Sequence, residues 1–185
     1  ANAIYDFTSA IMLSGETSVG KYPVEVVKMM SRVATRTEKS APWDPTLHED
    51  LREDLRITST VGHAATTIAH NLGANRIIAF TMGGSTARVI SKYRPEMPIL
   101  ALSPNHRAVR RMALYRGVDP KTIENSKSTD DMIALVERTL KKGKMLEKGE
   151  LCVITAGVPV STEGMSNLIK VHRVGSGRWE FLSKK

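Results

Sequence analysis

The sequence predicts an α/β fold organised around a buried parallel β-sheet, and its central stretch is the reason. Residues 77–80 are consecutive apolar residues, and a glycine-containing loop separates them from a helical pattern that stops at Pro95. A second apolar run, residues 99–102, follows shortly afterwards. Short apolar runs on either side of a helix are typical of parallel strands joined by a right-handed crossover. The centre of the chain is therefore a β-loop-α-β unit.

The residues before this unit predict one isolated βα step. The pattern indicates the end of a helix at residues 1–7, a short strand at 10–13 and a polar glycine loop at 14–20. Pro23 then opens a helix that continues to about Lys39, because proline suits the first helical position. One strand cannot form a sheet alone. This strand either joins the later sheet or belongs to a larger structure.

The rest of the chain predicts a linker followed by alternating helices and strands. Residues 40–54 have two prolines and no hydrophobic periodicity, which is typical of a linker. Further helices are predicted at residues 58–72, 104–115 and 128–140, and further strands at 118–123, 150–155 and 168–174. The last strand alternates apolar and polar residues as an edge strand does. Because the loop before it contains no helical pattern, we expect it to return antiparallel.

Size and composition are those of a globular protein. The chain has 185 residues, of which 41% are hydrophobic and 25% charged, enough for one well-formed core. Its single cysteine, Cys152, lies in an apolar run, which excludes a disulfide framework and favours a reducing compartment. No apolar run reaches membrane-spanning length, and the first residues do not resemble a signal peptide. We therefore expect a cytoplasmic protein with no membrane partner.

The basic net charge favours small anionic ligands over nucleic acid. The formal charge is +8 at pH 7, and the lysines and arginines are spread over short clusters, one of them at residues 107–116. Aromatic residues, on which bases stack in single-strand binders, make up only 5% of the chain. We interpret the charge as a solvated surface with a bias toward anions. The alternative, a nucleic-acid binder, predicts binding with a steep salt dependence.

The glycine loop of the central unit is a candidate anion site. Its candidate residues are Thr81, Gly83, Gly84, Ser85 and Thr86. The glycines let the backbone turn tightly, and the hydroxyls that follow can cap the helix and leave its first N–H groups facing outward. Such a helix start binds phosphate or carboxylate. The spacing is neither the dinucleotide fingerprint nor the Walker P-loop, so a plain helix cap is the alternative.

Several longer motifs, taken in order, resemble the C-terminal part of pyruvate kinase. They are MLSGET and GKYPVE (residues 12–17 and 20–25), TAR and SKYRP (86–88 and 91–95), LYRGV (114–118), and ITAGVP and NLIKV (154–159 and 167–171). The resemblance runs from about residue 1 to residue 175. It implies that the chain is a fragment covering the end of the catalytic barrel and the C-terminal regulatory domain.

The resemblance implies a domain organisation and a function. Residues 1–40 would be a βα remnant of a (β/α)₈ barrel, 41–54 a linker, 55–175 the regulatory domain and 176–185 a tail. That domain would be a three-layer α/β/α sandwich around a mixed five-stranded sheet. The whole enzyme would transfer phosphate from phosphoenolpyruvate to ADP, giving pyruvate and ATP, and this fragment would be inactive alone. The alternative is a stand-alone phospho-ligand-binding module with no catalytic activity.

Catalytic residues are implied only for the end of the barrel. Ser14 would border the pyruvate pocket and serve a proton-delivery network in the full-length enzyme, and Glu16 and Thr17 would support its loop. For the isolated chain we favour the simpler interpretation that these groups only cap the local backbone. The whole enzyme would need Mg²⁺ and K⁺. We expect no metal site in this chain, whose histidines are scattered.

An effector site and self-association are implied for the regulatory domain. The loop at residues 81–86 would bind the phosphate of a sugar-phosphate or nucleotide effector, and the loop at 159–166 would close over it. Two positions depart from the family pattern, since Met82 stands where a polar residue is common and Ser85 where a basic one is. The parent enzyme would be a homotetramer.

Overall fold

A computed structural model of the chain describes residues 1–40, 57–126, 128–159 and 165–175. The chain divides into two compact units, Ala1–Leu47 and His48–Lys185. The linker expected at residues 41–54 and the tail expected at 176–185 lie outside the described residues, as does most of the loop expected to close over an effector.

The first unit is helical throughout its regular structure. Within residues 1–40 the helices are α1 (Asn2–Tyr5), α2 (Gly15–Ser18) and α3 (Pro23–Ser40). Proline opens α3 as predicted. The strand predicted at residues 10–13 does not form, and α2 lies inside the segment predicted as a loop. An extended segment needs neighbouring strands to satisfy its backbone N–H and C=O groups, so only the helical half of the predicted βα remnant is present.

The second unit alternates helices and strands along the described chain. In order they are α4 (Ile57–Asn71), β1 (Arg76–Phe80), α5 (Ser85–Lys92), β2 (Ile99–Ser103), α6 (His106–Met112), β3 (Val118–Thr122), α7 (Thr129–Lys142), β4 (Leu151–Ala156) and β5 (Leu168–Arg173). The strands form one five-stranded sheet in the order β3-β2-β1-β4-β5. The first four strands in this order are parallel, and β5 is antiparallel to β4. The predicted mixed sheet with an antiparallel last strand is confirmed.

Helices cover both faces of this sheet, which explains why its inner strands read as continuous apolar runs. On β1, Ile78 and Phe80 belong to a core cluster that α7 completes with residues such as Val136. Ile77 on the same strand faces the opposite way, into a second cluster completed by side chains of α4, α5 and α6, among them Ile90. The layers are therefore helix, sheet and helix. No helix among the described residues is long and apolar enough to cross a membrane.

The strand order places a topological switch point between β1 and β4. From β1 the chain builds β2 and β3 outward on one side, and then returns to place β4 on the other side of β1. The loops that leave the carboxyl ends of β1 and β4 therefore run in opposite directions. In open α/β sheets, ligands bind in the crevice that such a reversal creates.

Candidate functional site

A cleft lies at this crevice, above the carboxyl ends of the parallel strands. It holds about 520 Å³ of empty space, open solvent included. Its walls come from the loops after β1, β2, β3 and β4. The lining residues are Phe80, Thr81, Met82, Ser85, Thr86, Leu102, Pro104, Ile123, Glu124, Asn125, Ser126, Met132, Gly157 and Met165. Three of the five predicted effector residues line the cleft, and the two glycines form the turn between them.

The turn is shaped by Gly84 rather than by a hydroxyl cap. Gly84 is the N-cap of α5, with φ of 88° in the left-handed region. No side chain makes a capping hydrogen bond at this end of the helix. The expectation that Ser85 or Thr86 caps the helix is therefore wrong. Instead, the Gly84 N–H donates to Thr81 Oγ1 at 2.9 Å, so the hydroxyl of the first residue after β1 closes the turn. Glycine is needed here because other residues seldom adopt this backbone conformation.

The start of α5 presents backbone donors at the cleft. The carbonyl of the N-cap residue Gly84 accepts the first hydrogen bond of the helix, from the N–H of Arg88 at 3.0 Å. The N–H groups of Ser85, Thr86 and Ala87 come before it, and the first N–H groups of a helix have no acceptor within the helix. Together with the positive end of the helix dipole, they suit an anion.

The side chain of Thr86 points to another partner. Its Oγ1 lies 2.6 Å from Ser166 Oγ, and both residues are buried. The Ser166 N–H in turn donates to Thr58 Oγ1 at 3.3 Å. The segment before β5 is thus fastened to the first turns of α5 and α4. The Thr86 hydroxyl therefore contacts the segment before β5, and its backbone N–H is one of the first N–H groups of α5.

Two functional candidates escaped the sequence interpretation because they come from distant segments. Ser103 Oγ donates to the carbonyl of Met82 at 3.1 Å, and Arg111 Nη2 donates to the carbonyl of Gly83. These donors are 21 and 28 positions away from their acceptors along the chain. The only sequence signal was the basic stretch at residues 107–116, which was interpreted as solvated surface.

The predicted catalytic residues lie in the first unit, in a local hydrogen-bonded turn. Glu16 Oε2 accepts from Ser14 N at 3.0 Å, and Thr17 Oγ1 donates to Ser14 O at 3.1 Å. The backbone N–H of Glu16 itself and that of Ser14 lower the pKa of the Glu16 carboxyl, although burial opposes them slightly. Such contacts stabilise the start of α2, as capping groups do.

Metal chemistry has no obvious site in the described part of the chain. Among residues 1–40, 57–126, 128–159 and 165–175, no group of three or more His, Cys, Asp or Glu side chains is placed to hold a metal ion. No reaction step is therefore assigned to a metal among the described residues.

Comparison with known proteins identifies the family. The family model described as "Pyruvate kinase, alpha/beta domain" matches residues 59–172, which include the whole lining of the cleft. The chain belongs to the pyruvate kinase family. The resemblance drawn from the motifs is thereby confirmed.

Curated pyruvate kinases match nearly all of this chain but are much longer. Those of Staphylococcus saprophyticus and Geobacillus stearothermophilus are 42% and 41% identical to it, over 95% and 93% of its length, and it covers 30% of each. The pyruvate kinase of Clostridium acetobutylicum is 42% identical over 94% of this chain, which covers 37% of that protein. The chain thus spans about a third of the length of the pyruvate kinases it matches.

A solved structure gives the same result in three dimensions. A crystal structure of pyruvate kinase from Cryptosporidium parvum superposes on this chain with a TM-score of 0.83 and 29% sequence identity. The superposition covers 94% of this chain and 34% of that one. The α/β fold with its mixed sheet is therefore the fold of the corresponding part of a pyruvate kinase. The residues of the cleft belong to that part, whereas Ser14, Glu16 and Thr17 precede the range of the family model.

Proposed function

We propose that this chain is the effector-binding part of a pyruvate kinase, and that its ligand is a phosphate compound held in the cleft. The whole enzyme transfers phosphate from phosphoenolpyruvate to ADP, giving pyruvate and ATP. The observation that carries the proposal is the cleft at the β1/β4 reversal, where the first N–H groups of α5 lie beside the Thr81 hydroxyl. Backbone donors at a helix start suit a phosphate dianion in both charge and geometry.

The phosphate would bind at residues 81–86. Thr81 accepts the Gly84 N–H at its oxygen, and a hydroxyl that accepts still carries a hydrogen to donate. The N–H groups of Gly83, Ser85 and Thr86 are the further donors we assign to the phosphate. The body of a sugar-phosphate or nucleotide would then lie along the apolar wall formed by Phe80, Leu102, Ile123 and Met132, with the polar groups of residues 124–126 opposite.

We assign no catalytic turnover to this chain by itself. Phosphoryl transfer depends on positioned metal ions and phosphate clamps. Among the described residues, no cluster of three or more His, Cys, Asp or Glu side chains is placed to hold such an ion. In the complete enzyme, Mg²⁺ and K⁺ would be held by groups outside the described residues. Ser14 would border the pyruvate pocket there, with Glu16 and Thr17 holding its loop. The enzyme would be a cytoplasmic homotetramer, in which this part contributes to self-association.

Calorimetric titration of the full 185-residue chain tests the effector site. Fructose 1,6-bisphosphate, ribose 5-phosphate and AMP are titrated separately, and we expect saturable binding of at least one. The variant Thr81→Val removes the hydroxyl at constant shape, and it should weaken binding by about tenfold, the typical effect of losing one charge-assisted hydrogen bond. Thr122→Val, a matched change on β3 outside the cleft lining, is the control. Absence of binding at millimolar concentrations of all three ligands contradicts the proposal.

A separate assay addresses the activity. The chain is incubated with phosphoenolpyruvate, ADP, Mg²⁺ and K⁺, and ATP formation is followed. We expect none above background. Turnover by the chain alone would show that the described residues and their neighbours suffice for phosphoryl transfer, against this proposal. A stand-alone phospho-ligand-binding module would also bind an effector without turnover. Joining the chain to the remainder of a pyruvate kinase separates this alternative from the proposal. Only if the cleft is an effector site should the ligand change the activity of the joined enzyme.

A further inference from the structure

Two consecutive carbonyl groups of the glycine loop are held by donors from one neighbouring segment. Ser103, the last residue of β2, donates its hydroxyl to Met82 O at 3.1 Å. Arg111, near the end of α6, donates from Nη2 to Gly83 O. Both carbonyls therefore point toward the β2–α6 segment. A carbonyl oxygen carries partial negative charge, so a carbonyl turned toward the cleft would repel an anion there.

The donors are themselves fixed in place. Ser103 is fully buried, and its Oγ accepts the N–H of Asn105 at 3.1 Å. The Asn105 side chain caps α6 by accepting the N–H groups of Arg107 and Ala108, at 2.9 and 3.3 Å. Further along the same helix, Met112 packs under the turn, because a methyl group added at Gly84 would lie 3.0 Å from Met112 Cγ. The guanidinium of Arg111 lies just beyond, 3.9 Å from the same position.

The contact made by Arg111 controls a single peptide plane. The Gly83 C=O and the Gly84 N–H belong to one planar peptide unit, in which the two groups point in opposite directions. Arg111 holds the oxygen end, and Thr81 Oγ1 accepts from the nitrogen end at 2.9 Å. Rotation of this plane would break both hydrogen bonds together. The orientation of the Thr81 hydroxyl, a proposed phosphate ligand, therefore depends on a side chain that is not part of the cleft lining.

We infer that Arg111 is a positioning residue of the anion site, acting through the Gly83-Gly84 peptide on Thr81. The inference rests on the proposed function, because the anion is the ligand proposed above. Arg111 has a second effect through its charge. The guanidinium adds positive potential beside the loop without contacting the ligand.

Arg110 provides a matched control for this role. It is the neighbouring residue on α6 and is exposed, as Arg111 is, but the contacts that the structure records for the loop come from Arg111. Arg110→Gln and Arg111→Gln remove the same charge from adjacent positions. Only the second should release the peptide plane. Arg111→Lys keeps the charge and a donor but loses the planar fork, so its effect should be intermediate.

The first measurement needs no ligand. Amide hydrogen exchange of Gly84, followed by NMR in the full chain, should be faster in Arg111→Gln by about tenfold, the effect of losing a hydrogen bond to a charged group. Arg110→Gln should exchange as the unmodified chain does. Thr81→Val cuts the other end of the same plane and should give a similar increase. Because both variants free one plane, the double variant should add little to either single change.

The second measurement is the affinity for ribose 5-phosphate and for inorganic phosphate by calorimetry. Arg111→Gln should weaken binding by about tenfold and Arg110→Gln by no more than about twofold, since only the former loses the positioned hydroxyl as well as a charge. Lysine at position 111 should restore part of the loss.

The outcomes separate this inference from the proposed function. Unchanged Gly84 exchange in Arg111→Gln overturns the inference, as do equal losses of affinity in the two arginine variants or additive effects of Arg111→Gln and Thr81→Val on exchange. If the unmodified chain binds no phosphate compound while Arg111→Gln still accelerates Gly84 exchange, the proposed function fails and the positioning of the loop by Arg111 stands.

Discussion

Glu137 on α7 and His172 on β5 are joined by a hydrogen bond of 2.8 Å between Glu137 Oε1 and His172 Nε2. The same oxygen accepts the N–H of Gly175 at 2.8 Å, and Lys141 Nζ lies 3.5 Å from Oε2. Burial alone would raise the pKa of Glu137. The hydrogen bonds from Gly175 and His172 and the charge attraction to His172 and Lys141 outweigh it, so the pKa is lowered from its usual 4.5. This carboxylate fastens the edge strand to the helix beneath it.

Replacing Glu137 by glutamine should destabilise the fold in a pH-dependent way. A carboxyl whose pKa is lowered by folding contributes stability that is fully present above its unfolded pKa and is lost as pH falls through the folded pKa. At pH 7 we expect Glu137→Gln to lower the free energy of unfolding by roughly 1–3 kcal/mol. The deficit should shrink as pH falls below the usual carboxyl value of 4.5. Urea unfolding over this pH range measures both.

The control for this variant is Glu147→Gln, an exposed carboxyl on the segment after α7. It should unfold like the unmodified chain at every pH. A deficit for Glu137→Gln that stays constant into the acid range would mean that lost packing, not lost charge, causes it.

Cys152 should be chemically inert until the chain unfolds. It pairs with His172 across β4 and β5 and is fully buried. Burial, with a smaller contribution from the nearby Glu137 charge, raises the pKa of its thiol to about 12. Because the thiolate is the reactive form, alkylation by iodoacetamide at pH 8 should follow the unfolding transition in urea. Rapid alkylation of the native chain would show that β4 is accessible, contrary to this structure.

Gly84 should tolerate substitution far less well than Gly83. An added methyl group at Gly84 would lie 3.0 Å from Met112 Cγ, in a backbone with φ of 88°, whereas at Gly83 it would meet nothing within 4 Å. The left-handed conformation costs a residue with a side chain about 1–2 kcal/mol. Gly84→Ala should therefore lose at least that much stability in urea unfolding. Gly83→Ala is the matched control, and equal losses in the two variants would count against the described turn.

The elements that the sequence predicted well are those whose pattern is set by local burial. The runs at residues 77–80 and 99–102 are inner strands covered on both faces, so every position is apolar. The strand predicted at residues 10–13 does not form, because a strand needs neighbouring strands to pair with and the local sequence pattern does not show whether they are present. Leu72, the last residue of the helix predicted at residues 58–72, lies outside the observed helix and is 50% exposed. The helix ends at Asn71 and the left-handed Gly73, with φ of 59°, turns the chain away.

The cleft was predictable only in part, because a local sequence pattern does not show contacts between distant segments. Thr81 and the two glycines lie within four consecutive residues, so their turn could be anticipated from the local sequence alone. Arg111 and Ser103 reach the loop because β2 lies beside β1 in the sheet and α6 packs against the turn. Ser166 meets Thr86 across 80 positions of sequence. Contacts of this kind depend on strand order, which the local pattern does not contain.

The buried hydroxyl pair of Thr86 and Ser166 should show a characteristic asymmetry. Ser166→Ala leaves the Thr86 hydroxyl buried without this partner, which should cost roughly 1–3 kcal/mol of unfolding free energy. Adding Thr86→Val removes the orphaned hydroxyl as well. The double variant should therefore be more stable than Ser166→Ala alone. Urea unfolding of both decides the point, and strictly additive losses would mean that the two hydroxyls do not depend on each other.

The first unit should cause self-association of the chain. This unit leaves large apolar side chains exposed to solvent, with Met12 85% and Val24 63% exposed. Met29 lines an apolar groove together with Ile4 and Ile11. Exposed apolar surface of this extent usually marks a contact site. We expect a second copy to cover it, so sedimentation should give a larger species for the full chain than for a chain lacking residues 1–40.

Met29→Lys should shift the full chain toward monomer, whereas Thr35→Lys, on an exposed position of the same helix outside the groove, should not. Equal monomeric sedimentation with and without residues 1–40 would show that the groove needs no partner.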